Sequence, residues 1–130
     1  MKKSEEKFEE WERYAEYDSQ TAEILIREQG PSNPICFHAQ QVAEKYLKGF
    51  LVVQKIEFKK THQLEYLLTL CEQSDNSFEK LRDDIAYLSE FYTEVRYPAD
   101  MPEFSLDECQ KAFEAAKNVR DFVKEKVKNA

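Results

Sequence analysis

The sequence predicts an all-α fold, specifically an up-and-down antiparallel bundle of four to five helices. The longest apolar-periodic stretch covers residues 35–58 and repeats its hydrophobic side chains every three or four positions, which is the period of an amphipathic helix. The same spacing recurs before and after it, so neighbouring helices are available to cover its wide apolar stripe. Only two Gly and four Pro occur in 130 residues, which argues against a β-sandwich and its many tight turns.

The composition indicates one globular domain spanning residues 1–130. Hydrophobic residues make up 42% of the chain and charged residues 35%, a balance typical of globular rather than disordered proteins. A chain of this length can bury a sizeable core. The formal net charge of −7 argues against general binding to nucleic acid, which normally needs a basic surface. Any anion-binding site must therefore be local.

The first predicted helix has an apolar stripe from Phe8 to Ile26 and ends near Gly30 and Pro31, a strong helix stop. Asp18 interrupts its apolar stripe. If the first two helices form an antiparallel hairpin, Asp18 can meet Lys45 at the edge of their interface. An aspartate beside a helix seam fits a structural polar pair better than a catalytic acid.

The second helix is the predicted centre of the bundle, with Asn33 as its N-cap and Pro34 in its first turn. His38, near its start, has no partner that the sequence identifies. The core-facing residues share one side of a helical wheel: Ile35, Ala39, Val42, Ala43, Tyr46, Phe50 and Val53. The residues on the opposite side are Gln41, Glu44 and Lys48.

Three more helices follow, each opened by a hydroxyl side chain that can cap it. Thr61 precedes a short helix with the apolar residues Leu64, Leu67, Leu68 and Cys71. Ser77 precedes a helix with the apolar residues Phe78, Leu81, Ile85, Leu88, Tyr92 and Val95, which Pro98 and Pro102 end. Ser105 and Glu108 form a capping box at the start of the last helix.

Helices that alternate in direction place four helix ends at one pole: the end of the second, the start of the third, the end of the fourth and the start of the fifth. The residues predicted to gather there are Lys59, Lys60, His62, Arg96 and Tyr97. Two helix N-termini beside them would attract anions. Four acidic residues between positions 100 and 108 share this pole. A solvated, mutually compensating loop surface is therefore the alternative interpretation.

The cysteines Cys36, Cys71 and Cys109 are predicted to be reduced and packed, because they are odd in number, widely spaced and without nearby ligand histidines. No metal site and no cofactor is predicted. The N-terminal residues include two lysines but no apolar signal-peptide core, and no stretch approaches the ~18 residues of a membrane span. These features predict a cytoplasmic location without a membrane partner.

Four blocks of sequence resemble the HEPN family, the "higher eukaryotes and prokaryotes nucleotide-binding" domain. They are YAEYDSQTAEIL, FHAQQVAEKYLKGFLV, KTHQLEYLL and FYTEVRYPAD, in the family's order and within residues 9–123. The resemblance implies a compact helical bundle that commonly dimerises and is often encoded with a minimal nucleotidyltransferase. Many members are metal-independent ribonucleases, used as toxins or in RNA-targeting defence, while others are nucleotide-binding or accessory modules.

The resemblance also implies where a ribonuclease site would lie. Ribonuclease members carry an Arg and a His separated by four to six residues, and two subunits bring these pairs together. Arg96 matches the arginine, but residues 97–103 contain no histidine. The group expected to transfer protons with the 2′-hydroxyl or the leaving oxygen is therefore missing. The chain is predicted to be non-catalytic.

The resulting hypothesis is a dimeric, non-catalytic module that binds a nucleotide or docks a minimal nucleotidyltransferase. The candidate ligand-binding residues are Arg96, Tyr97, Lys59, Lys60 and His62. The alternative is a toxin-like ribonuclease with a degenerate motif, in which Arg96 stabilises transition-state charge and His62 replaces the missing base. His62 also fits a simple first-turn residue, Arg96 also fits a helix cap, and a purely structural interaction protein is the third hypothesis.

Aromatic content adds a prediction about the dimer. Nine Phe, seven Tyr and one Trp are more than one small core readily holds. Phe37, Tyr92 or Tyr97 is therefore predicted to serve an interface.

Overall fold

Five α-helices account for most of the chain that this computed structural model describes, which is residues 7–92 and 98–129. They are α1 (Phe8–Arg27), α2 (Ser32–Val53), α3 (Leu64–Ser74), α4 (Arg82–Ser89) and α5 (Leu106–Lys128), with 3₁₀ helices at Asn76–Leu81 and Pro98–Asp100. No β-strand occurs in the described ranges, so the predicted all-α bundle is confirmed. None of the described helices combines the length and apolarity needed to cross a membrane.

α2 forms the centre of the bundle and packs against all four other helices. Thirteen of its 22 residues are buried, which leaves little of its surface in contact with solvent. The hydroxyl of the fully buried Tyr46 donates a hydrogen bond to Glu16 Oε2 at 2.6 Å. Burial and this carboxylate raise the pKa of Tyr46 well above its ordinary value, so the hydroxyl remains a donor.

α1 runs antiparallel to α2, with its start beside the end of α2. Phe8 packs so closely on Gly49 that a Cβ added to the glycine would lie 2.9 Å from the Phe8 ring. Glycine at this position therefore allows the two helices to approach each other. The connection between them turns at Gln29, whose φ is 57°.

α5 runs parallel to α2. Cys36 and Cys109, each in the first half of its helix, are joined by a disulfide. Towards the other ends of the two helices, the Phe78 ring packs between Phe50 of α2 and Phe122 of α5, with ring centroids 4.4 Å and 4.9 Å away. These two contacts fix the relative direction of α2 and α5 at both ends of the core.

α3 runs in the same direction as α2, and this corrects the predicted alternation of directions. His62, just before α3, contacts Glu44 in the middle of α2, whereas Ser74 at the end of α3 contacts Gln54 just after α2. The connection 54–63 therefore returns along α2 before α3 begins. As a result, the start of α5 lies beside the start of α2 rather than beside its end.

Asn33 and Ser32 hold the segment before α5 against the start of α2. Asn33, predicted as an N-cap, lies inside α2. Its Nδ2 donates to the Pro102 carbonyl at 2.8 Å and its Oδ1 accepts the Phe104 N–H at 2.9 Å. Ser32 Oγ donates to the Phe104 carbonyl at 2.6 Å. The amide therefore pairs backbone groups distant in sequence instead of capping its own helix.

The starts of the third and fourth helices also differ from the prediction. Thr61 Oγ1 accepts the N–H of Gln63 at 3.0 Å, and α3 begins only after Gln63. Ser77 lies within a 3₁₀ helix that Asp75 caps, its Oδ1 accepting the Ser77 N–H at 2.9 Å. α4 ends before Val95, which lies outside the described residues.

α5 begins as predicted. Ser105 Oγ accepts the N–H of Glu108 at 3.0 Å, and the Glu108 carboxylate accepts the N–H of Ser105 at 2.9 Å. The capping box is therefore confirmed, and it satisfies two backbone groups that the first turn would otherwise leave unpaired.

The disulfide contradicts the prediction of three reduced cysteines. Cys36 and Cys109 have Cα atoms 4.7 Å apart, within the range that a disulfide spans. A separation of 73 residues hides this proximity in the sequence, because it arises only when α2 and α5 pack in parallel. Cys71 is the one free cysteine in the described ranges; it is buried, and burial raises the pKa of its thiol. Reduced cysteines had supported the predicted cytoplasmic location, and the disulfide removes that support.

Counting thiols tests this correction. Protein purified without reductant and then denatured should expose one reactive thiol per chain, from Cys71, and three after reduction, because the disulfide protects two. Reduction should also lower the free energy of unfolding, by about 4 kcal/mol for a loop of this length. Cys71→Ser should leave no reactive thiol before reduction, whereas three thiols in unreduced wild-type protein would contradict the disulfide.

Candidate functional site

Two charged residues of α2, Glu44 and Lys48, are buried although the helical wheel placed them opposite the core. Their relative exposures are 4% and 8%. Glu44 Oε2 accepts from Lys48 Nζ at 2.8 Å, and Glu44 Oε1 lies 3.0 Å from His62 Nδ1. Lys48 Nζ lies 5.7 Å from the centre of the Trp11 ring, a favourable cation–π distance. The connection 54–63, with His62 in it, therefore covers this side of α2.

An open groove of about 290 Å³ lies next to this buried pair. Its volume is close to the lower end of the range for small-molecule sites. The residues that line it come from α2, the end of the connection 54–63, the start of α3, and the end of α4 with the residues after it: Gln40, His62, Gln63, Leu64, Glu65, Tyr66, Ser89 and Tyr92. The groove therefore exists because α3 starts beside the middle of α2.

Aromatic rings and a lysine border the groove. The His62 and Tyr92 rings are near-parallel, with 25° between their planes and centroids 6.4 Å apart. Lys59 Nζ lies 4.8 Å from the centre of the Tyr66 ring, and Tyr66 Oη accepts the Lys59 N–H at 3.2 Å. The groove thus combines flat π-surfaces with a cation at its edge.

The predicted site residues are only partly placed by the structure. His62 lies beside Tyr92, which follows α4, and the returning connection brings it there. Lys59 and Lys60 lie on this connection and are exposed. Arg96 and Tyr97, predicted for the same pole, lie outside the described residues.

A second polar cluster joins α1 to α2. Asp18 Oδ2 accepts from Lys45 Nζ at 2.5 Å, so the two residues of the predicted structural pair lie in contact. Asp18 Oδ1 lies 2.7 Å from His38 Nδ1, and this gives His38 the partner that the sequence did not identify. Asp18 is 8% exposed, so its two partners compensate a carboxylate largely removed from water.

Sequence reasoning missed Gln40 and Glu44 as parts of the site. Gln40 is buried, and its Nε2 donates to the Leu88 carbonyl at 2.5 Å. The sequence did offer one signal for each of these two residues, because each is a polar residue within an apolar run of α2. Their partners, Leu88 and His62, are 48 and 18 residues away. No helical period connects positions so far apart.

The described part of the chain contains no cluster of side chains suited to binding a metal ion. Within residues 7–92 and 98–129, no group of three or more His, Cys, Asp or Glu side chains is arranged to hold a metal ion.

Comparison with known proteins establishes the family. The HEPN domain model matches residues 8–126, and the chain therefore belongs to the HEPN family. Among solved structures, it is similar to the crystal structure of an archaeal HEPN homologue, with 26% sequence identity and a TM-score of 0.76. That match covers 94% of this chain and 98% of the archaeal chain. No curated protein matches the sequence.

Replacing Asp18 tests the structural interpretation of its cluster. Asp18→Ala should lower the free energy of unfolding by roughly 2–4 kcal/mol, because it leaves the Lys45 and His38 side chains without their partner in a largely buried position. Urea unfolding measures the change.

Asp121 provides the matched control. It pairs with the adjacent Arg120, but its side chain is 68% exposed. Asp121→Ala should therefore change the free energy of unfolding by less than ~1 kcal/mol. Equal losses for the two variants would contradict a structural role for the buried cluster.

Proposed function

We propose that this HEPN protein is a non-catalytic, dimeric module that binds a nucleotide and serves as the accessory partner of a minimal nucleotidyltransferase. The observation that carries the nucleotide part is the groove between α2, α3 and α4. Its near-parallel His62 and Tyr92 rings offer surfaces for a nucleobase, and stacking of a base on an aromatic ring stabilises binding by about 1–3 kcal/mol.

Phosphate binding is assigned to cations at the edge of the same groove. Lys59 is held there by its contact with the Tyr66 ring, and Lys60 follows it on the same exposed connection. Arg96 and Tyr97 complete the proposed set on sequence grounds alone, since they follow Tyr92 by four and five positions. A few local cations work against a net charge of −7, so affinity should be modest and should fall as salt rises.

Ribonuclease activity is the second candidate, and one contact favours it. The Glu44 carboxylate lies against His62 Nδ1, an arrangement that orients an imidazole and leaves Nε2 for proton transfer. The sequence after Arg96 opposes it, because residues 97–103 contain no histidine. We therefore assign the groove to binding rather than to cleavage.

The nucleotidyltransferase partner and the cytoplasmic location are part of the proposal. Both are carried over from the sequence analysis, where the family resemblance implies the partner. Co-purification of this chain with a minimal nucleotidyltransferase encoded beside it would support the partnership, and separate elution at micromolar concentrations would count against it.

Calorimetric titration with nucleoside monophosphates tests the nucleotide site. Lys59→Ala should weaken binding about two- to fivefold, the effect expected from losing one exposed charge contact. Lys80→Ala is the charge-matched control, because Lys80 is exposed on the 3₁₀ helix before α4 and does not line the groove. Equal weakening by both variants would show a non-specific charge effect. Cleavage of single-stranded RNA that His62→Ala abolishes would instead support the ribonuclease.

Light scattering tests the dimer. Phe37 and Tyr92, two of the three predicted interface residues, are 53% and 45% exposed, whereas Tyr97 lies outside the described residues. Tyr14 and Tyr17 on α1 are also half-exposed. The wild-type protein should elute as a dimer, and Phe37→Glu should weaken association if Phe37 is in the interface. A monomer at all concentrations from micromolar to millimolar would exclude the dimer.

A further inference from the structure

Gln40 is a buried polar residue, and a hydrogen bond fixes one end of its side-chain amide. Its relative exposure is 6%, and its Nε2 donates to the Leu88 carbonyl of α4. A flipped amide would place Oε1 against the Leu88 oxygen, where two acceptors repel each other. The contact with α4 therefore fixes which atom of the amide is the acceptor.

The other half of the amide belongs to a residue that lines the groove. Within residues 7–92 and 98–129, Gln40 Oε1 accepts no hydrogen bond from the protein, and no buried side-chain N or O there lacks a partner. Gln40 lines the groove together with His62 and Tyr92. An oriented acceptor in a largely buried side chain favours a ligand that brings an N–H donor to it.

We propose that Gln40 is the specificity-determining residue of the groove, where its Oε1 accepts a hydrogen bond from the exocyclic amino group of a nucleobase. The base stacks on the His62 and Tyr92 rings while its amino edge points at Gln40. This inference rests on the proposed nucleotide-binding function and adds the ligand class: nucleotides with an amino-bearing base.

The locked amide is what makes the selection possible. A freely rotating glutamine could present its NH₂ to a base carbonyl as readily as its oxygen to an amino group. Here the NH₂ is engaged by Leu88, so only the acceptor remains for the ligand. A base with hydrogen in place of the amino group and no ring N–H at that edge leaves Oε1 desolvated without a donor, which lowers its affinity.

Two nucleotides that differ in a single group test the proposal. AMP carries a 6-amino group, whereas purine riboside 5′-monophosphate carries hydrogen at that position and has no ring N–H. In calorimetric titrations of the wild-type protein, AMP should bind about three- to tenfold more tightly, the factor that one neutral hydrogen bond supplies. This comparison requires no variant and therefore does not depend on whether a substituted protein folds.

A matched pair of variants assigns the difference to Gln40. Gln40→Met keeps the length of the side chain but removes the acceptor, so it should bring the AMP affinity down to that of purine riboside monophosphate. Gln41→Met changes the same residue type at the next position, which does not line the groove, and should keep the preference. Thermal unfolding checks that both variants fold.

The outcomes separate the two proposals. Equal affinity of the wild-type protein for both nucleotides, or a preference that survives Gln40→Met, would overturn the specificity assignment and leave nucleotide binding intact. No measurable binding of either nucleotide at millimolar concentration would overturn the proposed function and this inference with it.

Discussion

The buried ion pair between Glu44 and Lys48 is the interaction on which the arrangement around α2 depends. Charges removed from water need partners on all sides, because an unpaired buried charge is strongly destabilising. Glu44 receives a second contact from His62, and Lys48 lies over the Trp11 ring. Both extra contacts come from segments that cover the side of α2 turned away from the core. This central helix therefore has almost no free face.

Covering that face determines the direction of α3. A chain that left α2 in a tight turn would send α3 back antiparallel, whereas the connection 54–63 first returns along α2 to bring His62 to Glu44. The T-shaped contact of Trp11 with Phe58, at 6.5 Å between ring centroids, holds this connection against α1. Since α3 then starts beside the middle of α2, a groove opens between them and the end of α4.

A different kind of contact joins the start of α2 to α5 and to the segment before it. There the contacts are neutral and short: the disulfide to Cys109, and the side chains of Asn33 and Ser32 on the backbone before α5. These contacts keep α5 parallel to α2 and anchor the chain shortly after residues 93–97. On the groove side, the contact of His62 with Glu44 holds the connection 54–63 against α2, which supports the binding surface.

The sequence by itself determined the helical class, the central position of α2 and the capping box of α5. Each of these follows from local spacing, because hydrophobic period and capping residues act within one or two turns of a helix. The sequence also identified Asp18 and Lys45 as a possible pair, since a hairpin of two helices has a simple register. Only the tertiary structure decided the direction of α3, the disulfide and the orientation of Gln40. Those depend on contacts between residues 18 to 73 positions apart. No local pattern encodes them, because burial and pairing are satisfied by the whole bundle at once.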